Sequence, residues 1–170
     1  MGPQLEVDAD RPLTDDEREI VDLLNHVLAS HQLVGLDETR STASADENGL
    51  HIALRHRNGD HVIDIDADGE IVVSYGLEHE HFRQDDYDGA PPLPFVDADH
   101  RTTAVAFVEQ LLTGRIALDV WRRPLAIKTR SYWIDDDGEE QLFLRGGTIG
   151  PFWGRSKTPE RHVIDFTTET

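Results

Sequence analysis

An α+β fold is predicted: a helix, an antiparallel β-meander, a second helix and further antiparallel strands, with a single layer of helices on a mostly antiparallel sheet. Three observations carry this. Two stretches, after Thr14 and after Thr102, repeat apolar residues at helical spacing. The segments between and beyond them alternate apolar and polar side chains. These alternating segments follow one another through short turns, as antiparallel neighbours do, rather than taking turns with helices.

Residues 1–12 show no period and are expected to be disordered. Thr14-Asp15-Asp16-Glu17 then reads as a capping box, with Thr14 as N-cap, Glu17 reaching back, and three acids where the helix dipole favours them. Ile20, Val21, Leu23, Leu24, Val27 and Leu28 form the apolar stripe, and Gly35 is a natural stop. Residues 37–48 lack an apolar period and read as a long connection. Leu50, Ile52 and Leu54 alternate up to Asn58-Gly59, the dipeptide that suits a two-residue type I′ turn. Such a turn pairs Leu54 with Ile63 and Ile52 with Ile65 on one face. A second turn around Gly69, in a left-handed bulge, is expected to set Ile65 opposite Ile71 and Ile63 opposite Val73, with the strand extending through Tyr75 towards Phe82.

Residues 85–100, rich in aspartate and proline, form another long loop. Thr102 or Thr103 caps the second helix, whose buried stripe is Val105, Phe107, Val108, Leu111 and Leu112 and whose stop is Gly114. Ile116, Leu118 and Val120 open a β region interrupted by Pro124, resumed over residues 127–134, turned at Asp136-Asp137-Gly138, continued over residues 141–145 and ended by a strand over residues 162–166. With 170 residues, 38% of them apolar, and no long linker, one domain over residues 1–170 is expected. By this element order the chain is similar to the type III secretion chaperones and other small α+β binding modules.

The charge is uneven. Residues 1–114 carry 7 arginines and no lysine against 25 acids, whereas residues 115–170 hold 9 basic and 9 acidic residues, so the first part bears the whole net charge of −18. That distribution predicts a basic protein partner, disfavours nucleic acid and anionic membrane, and leaves a homodimer open; it also serves solvation alone. Cysteine is absent, which excludes disulfides, thiolate metal sites and cysteine nucleophiles. The longest apolar run is Ala104–Val108 and no basic-then-apolar leader opens the chain, so a cytoplasmic location is expected.

Four motifs remain. Asp64-Ile65-Asp66-Ala67-Asp68-Gly69 copies the first half of a calcium loop, but Tyr75 stands where the bidentate glutamate belongs, and an acidic hairpin explains the run equally. His79 and His81, two apart in a strand, point to one side and could hold a transition metal, with Glu78 and Glu80 on the other side. Gly154-Arg155-Ser156-Lys157-Thr158 fails as a nucleophile elbow, and the glycines of residues 146–150 match no phosphate-binding loop. All three tryptophans, Trp121, Trp133 and Trp153, lie beside arginines in the neutral part; they suit an interface or base stacking, the latter only if basic groups are segregated on one face, or fill a core with arginines over them.

With no catalytic signature present, the function expected is that of a non-catalytic acidic binding protein. It would mask a basic partner as an immunity protein or antitoxin does, or escort one as a secretion chaperone does. Asp64, Asp66, Asp68, Glu78 and Glu80 are expected to steer the encounter, with Trp121 and Trp153 supplying affinity. No cofactor is required by this reading. The alternative is a small metal-dependent enzyme or metal-binding protein centred on His79 and His81.

Overall fold

The computed structural model describes residues 3–59, 61–83, 99–123, 126–147 and 158–168. The first helix, α1 (Asp15–Ser30), begins as its sequence demands: Thr14 Oγ1 accepts the Glu17 N–H at 3.2 Å and the Glu17 carboxylate accepts the Thr14 N–H at 2.8 Å. Arg11 grips the same carboxylate with both terminal nitrogens, at 2.6 and 2.8 Å, and this hydrogen bonding outweighs burial to hold Glu17 down at about 2. A carboxylate held below its ordinary range stabilises the fold above that range and loses its contribution as pH falls towards its folded value. Glu17→Gln is therefore expected to cost about 2 kcal/mol at pH 7, and the gap to wild type in urea denaturation should close between about pH 5 and pH 2. A gap unchanged at pH 2 would show that ionisation of Glu17 is irrelevant.

Six strands form one sheet in sequential order: β1 (Val7–Ala9), β2 (Thr42–Asp46), β3 (Gly49–Arg55), β4 (Val62–Ala67), β5 (Ile71–Tyr75) and β6 (Glu78–Phe82). β1 runs parallel to β2 and every other pair is antiparallel. Two stretches expected to be irregular are thus strands. In β2 the buried face consists of Ala43 and Ala45, side chains too small to make Thr-Ala-Ser-Ala-Asp read as apolar alternation. Within residues 1–12, β1 gains order from β2 and from Asn25 Oδ1, which accepts the Leu5 N–H at 2.8 Å, partners that only the tertiary fold supplies.

Leu54 pairs with Ile63 and Ile52 with Ile65, the register that Asn58-Gly59 predicts, and Gly59 has φ 81°. The next hairpin is displaced by two residues: Ile65 faces Val73 and Ile63 faces Tyr75, not Ile71 and Val73. A two-residue slip leaves every side chain on its own face, so the apolar pattern cannot tell the two registers apart. Gly69 does take a left-handed φ of 71°. The Tyr75–Phe82 stretch is no single strand, because Gly76, at φ 59°, and Leu77 form a tight turn between β5 and β6.

The second helix, α2 (His100–Leu112), is capped by Asp99, whose carboxylate accepts the Thr102 N–H at 2.9 Å, rather than by Thr102 or Thr103. Thr103 is buried and Thr102 instead donates its hydroxyl to Asp99. α1 ends at Ser30, capped by His31, so Gly35 is not its stop; Gly35 lies under His56. No helix of the described residues is long and apolar enough to cross a membrane.

The remaining strands form a separate four-stranded antiparallel sheet in the order β10-β7-β8-β9: β7 (Thr113–Arg123), β8 (Ala126–Ile134), β9 (Glu140–Gly147) and β10 (Glu160–Asp165). The α+β class holds, with the antiparallel strands divided between two sheets. Ile116, Leu118 and Val120 are 1–2% exposed on its inner face. α2 joins the sheets through Phe107, whose ring lies 5.4 Å from Tyr75, 5.5 Å from Phe82 and 6.0 Å from Phe143. Beside it the Tyr75 and Ser131 hydroxyls meet at 3.1 Å, one strand from each sheet.

Candidate functional site

Alternation along the strands sends Leu50, Ile52, Leu54, Ile63, Ile65 and Val73 into the core and turns Thr42, Ser44, His51, Asp66, His79 and His81 to solvent on the other side of the six-stranded sheet, where Ala53 is buried. The ladder lines up two rows across five strands of this outer face. One is Ser44, His51, Asp66, Val72 and His81; the next is Thr42, Ala53, Asp64, Ser74 and His79. Each row holds one aspartate, with an imidazole two strands away. Asp66 is exposed and lies 2.6 Å from His51 Nδ1, while Asp64 is half-buried. Asp68 sits exposed in the β4–β5 turn, its N–H donating to the Glu70 carbonyl at 3.1 Å.

His79 and His81 are exposed on this face as their spacing requires, with ring centroids 5.1 Å apart. His81 Nδ1 lies 3.3 Å from Glu70, whose carboxyl is lowered chiefly by the Arg83 guanidinium bonded to it. One strand, β5, lies between these imidazoles and Asp64 and Asp66, which sets them two strand spacings apart, roughly 10 Å, too far for one ion. Among the described residues no three His, Asp or Glu side chains are grouped to hold a metal. The calcium-like run fares similarly: residues 64–67 are hydrogen-bonded strand between β3 and β5, with Ile65 turned inwards, so the segment does not curl around a cation.

Glu78 and Glu80 are not part of this face. They point inwards, where the Thr129 hydroxyl of β8 donates to Glu78 and burial pushes the Glu80 carboxyl up. The cause is the Gly76-Leu77 turn. In an unbroken strand, Glu78 and Glu80 would share the side of Ser74, and hence of Asp64; the turn pairs Ser74 with His79 and reverses that parity. The glycine at the right place was the signal that could have shown it.

Trp121 lies half-buried on the outer face of the four-stranded sheet, with Lys128 Nζ and Arg130 Cζ each 5.3 Å from its ring. Trp133 faces the other way, its indole N–H donating to Gln110 at 3.1 Å beside the core. Trp153 lies outside the described residues. The two described tryptophans thus share no single surface: one packs inwards and one sits among cations.

Fold and face together define an α+β protein of two mostly antiparallel sheets, one of which carries Asp64 and Asp66 on its outer face among His51, His79 and His81. No protein-family model, curated protein or solved structure matches the chain.

Proposed function

We propose that the protein is a non-catalytic acidic binding module that masks or escorts a basic protein, in the manner of an immunity protein, antitoxin or secretion chaperone. Docking is through the outer face of the six-stranded sheet. The observation that supports this is the pair of cross-strand rows that bring Asp64 and Asp66 side by side on the face of the sheet turned away from the core. The part of the chain that builds this sheet also carries all of the excess negative charge. Carboxylates on a rigid sheet keep their spacing, so a basic patch meets them without ordering costs, and the field of the acidic half accelerates the encounter. Asp68 extends the surface at the turn, whereas Glu78 and Glu80 serve the interior and drop out of the docking set.

The test is retention of a partner from lysate at low ionic strength, released by a salt step, then titrated with purified protein. The double change Asp64→Asn/Asp66→Asn is expected to weaken that partner's affinity about tenfold and flatten its salt dependence, with the fold intact. Equal affinity and equal salt dependence for the two proteins would sink the reading.

A further inference from the structure

The two sheets leave a cleft where the β5–β6 turn approaches β7 and β10, with a volume of about 230 Å³. Leu118, Val120 and Ile164, each 2–4% exposed, form its floor. Leu77, at the tip of the turn, is 46% exposed and stands as a wall, an unusual position for a large apolar side chain in this charged protein. His61, Arg122 and His162 make up the polar rim. His162 Nε2 is buried and makes no hydrogen bond among the described residues; the Glu160 carboxylate lies 3.3 Å from it, outside bonding geometry, and 3.5 Å from Arg122 Nε.

An apolar floor closed by Arg122 and His162, which share the Glu160 carboxylate at long range and leave the His162 Nε2 without a hydrogen bond among the described residues, matches a molecule with an apolar body and an anionic head. The floor and two of the three rim groups, Arg122 and His162, come from the neutral part of the chain, whereas Leu77 and His61 come from the acidic part. Its volume is below the ~300–1,000 Å³ of clefts for drug-sized ligands, which restricts the body to a short chain or one ring. We propose that this cleft binds a small amphipathic carboxylate, such as a short fatty or aryl acid, with its apolar body on Leu118, Val120 and Ile164 and its carboxylate on Arg122 and His162. Glu160 is the internal anion that the ligand displaces. None of these residues belongs to the acidic docking face, so the two readings stand or fall separately.

Amide NMR titration with hexanoate, and with hexanol as the uncharged counterpart, tests the proposal. Hexanoate is expected to saturate shifts at residues 118, 120 and 162 with a Kd of about 1 mM or tighter, and hexanol to bind about tenfold more weakly. Arg122→Ala/His162→Ala should lose about tenfold, and Glu160→Gln should gain about twofold or more by removing the competing carboxylate. Unchanged amide shifts away from the cleft establish that each variant is folded. The proposal is overturned by the absence of saturable shifts, by equal binding of hexanol, or by unchanged hexanoate affinity in a folded Glu160→Gln protein.

Discussion

Phe107→Ala is expected to lower stability by about 4 kcal/mol, the scale of loss set by emptying a fully buried aromatic site. Phe107 has no exposed surface, and its ring touches Tyr75 and Phe82 of the six-stranded sheet as well as Phe143 of the four-stranded sheet. Truncation removes its transfer free energy, opens a void that two sheets anchored by their own ladders close only in part, and ends three aromatic contacts. At about 2–4 °C per kcal/mol for a chain of this length, the melting temperature should fall by roughly 8–16 °C. Phe107→Leu, which keeps most of the volume, should recover more than half of the loss. A fall of only a few degrees for the alanine variant would show that the sheets are held together elsewhere.

Gly35→Ala should cost about 3 kcal/mol, although Gly35 lies in a loop where alanine is normally harmless. A Cβ there would meet the His56 ring, with Cδ2 at 2.7 Å, and the Thr168 carbonyl at 2.6 Å. The imidazole is held from three sides. His56 is fully buried against Phe166, its Nδ1 accepts the Asn58 N–H at 3.2 Å and its Nε2 donates to the Thr168 carbonyl at 3.2 Å, which assigns it the neutral Nε2–H tautomer. Gly35 itself is pinned, its N–H donating to the Phe166 carbonyl at 2.9 Å and its carbonyl accepting the Arg57 N–H at 2.8 Å. Thermal unfolding of Gly35→Ala, His56→Ala and the double variant checks this: the double variant should be less damaged than the sum of the two. Strict additivity would mean that the close approach to His56 is not the source of the cost.

The sequence displayed whatever depends on neighbours within a few positions. The α1 capping box, both helical stripes, the Asn58-Gly59 register and the Asp136-Asp137-Gly138 turn follow from local spacing and turn stereochemistry, and each is present. The opposition of His79 and His81 to Glu78 and Glu80 was equally legible, because it needs only alternation within one strand. Which of the two pairs shares a side with Asp64 and Asp66 needs more, since it depends on whether the chain turns at Gly76.

By itself, then, the sequence determined the α+β class, the two amphipathic helices, the first hairpin and the concentration of negative charge in residues 1–114. Tertiary structure decided that the strands form two sheets, that Ala43 and Ala45 are core residues, that β1 is ordered, and that only some of the acids share one surface. The physical reason is range. A helix cap or a two-residue turn closes its hydrogen bonds within its own segment, whereas membership of a sheet and the side an acid faces depend on partners tens of residues away.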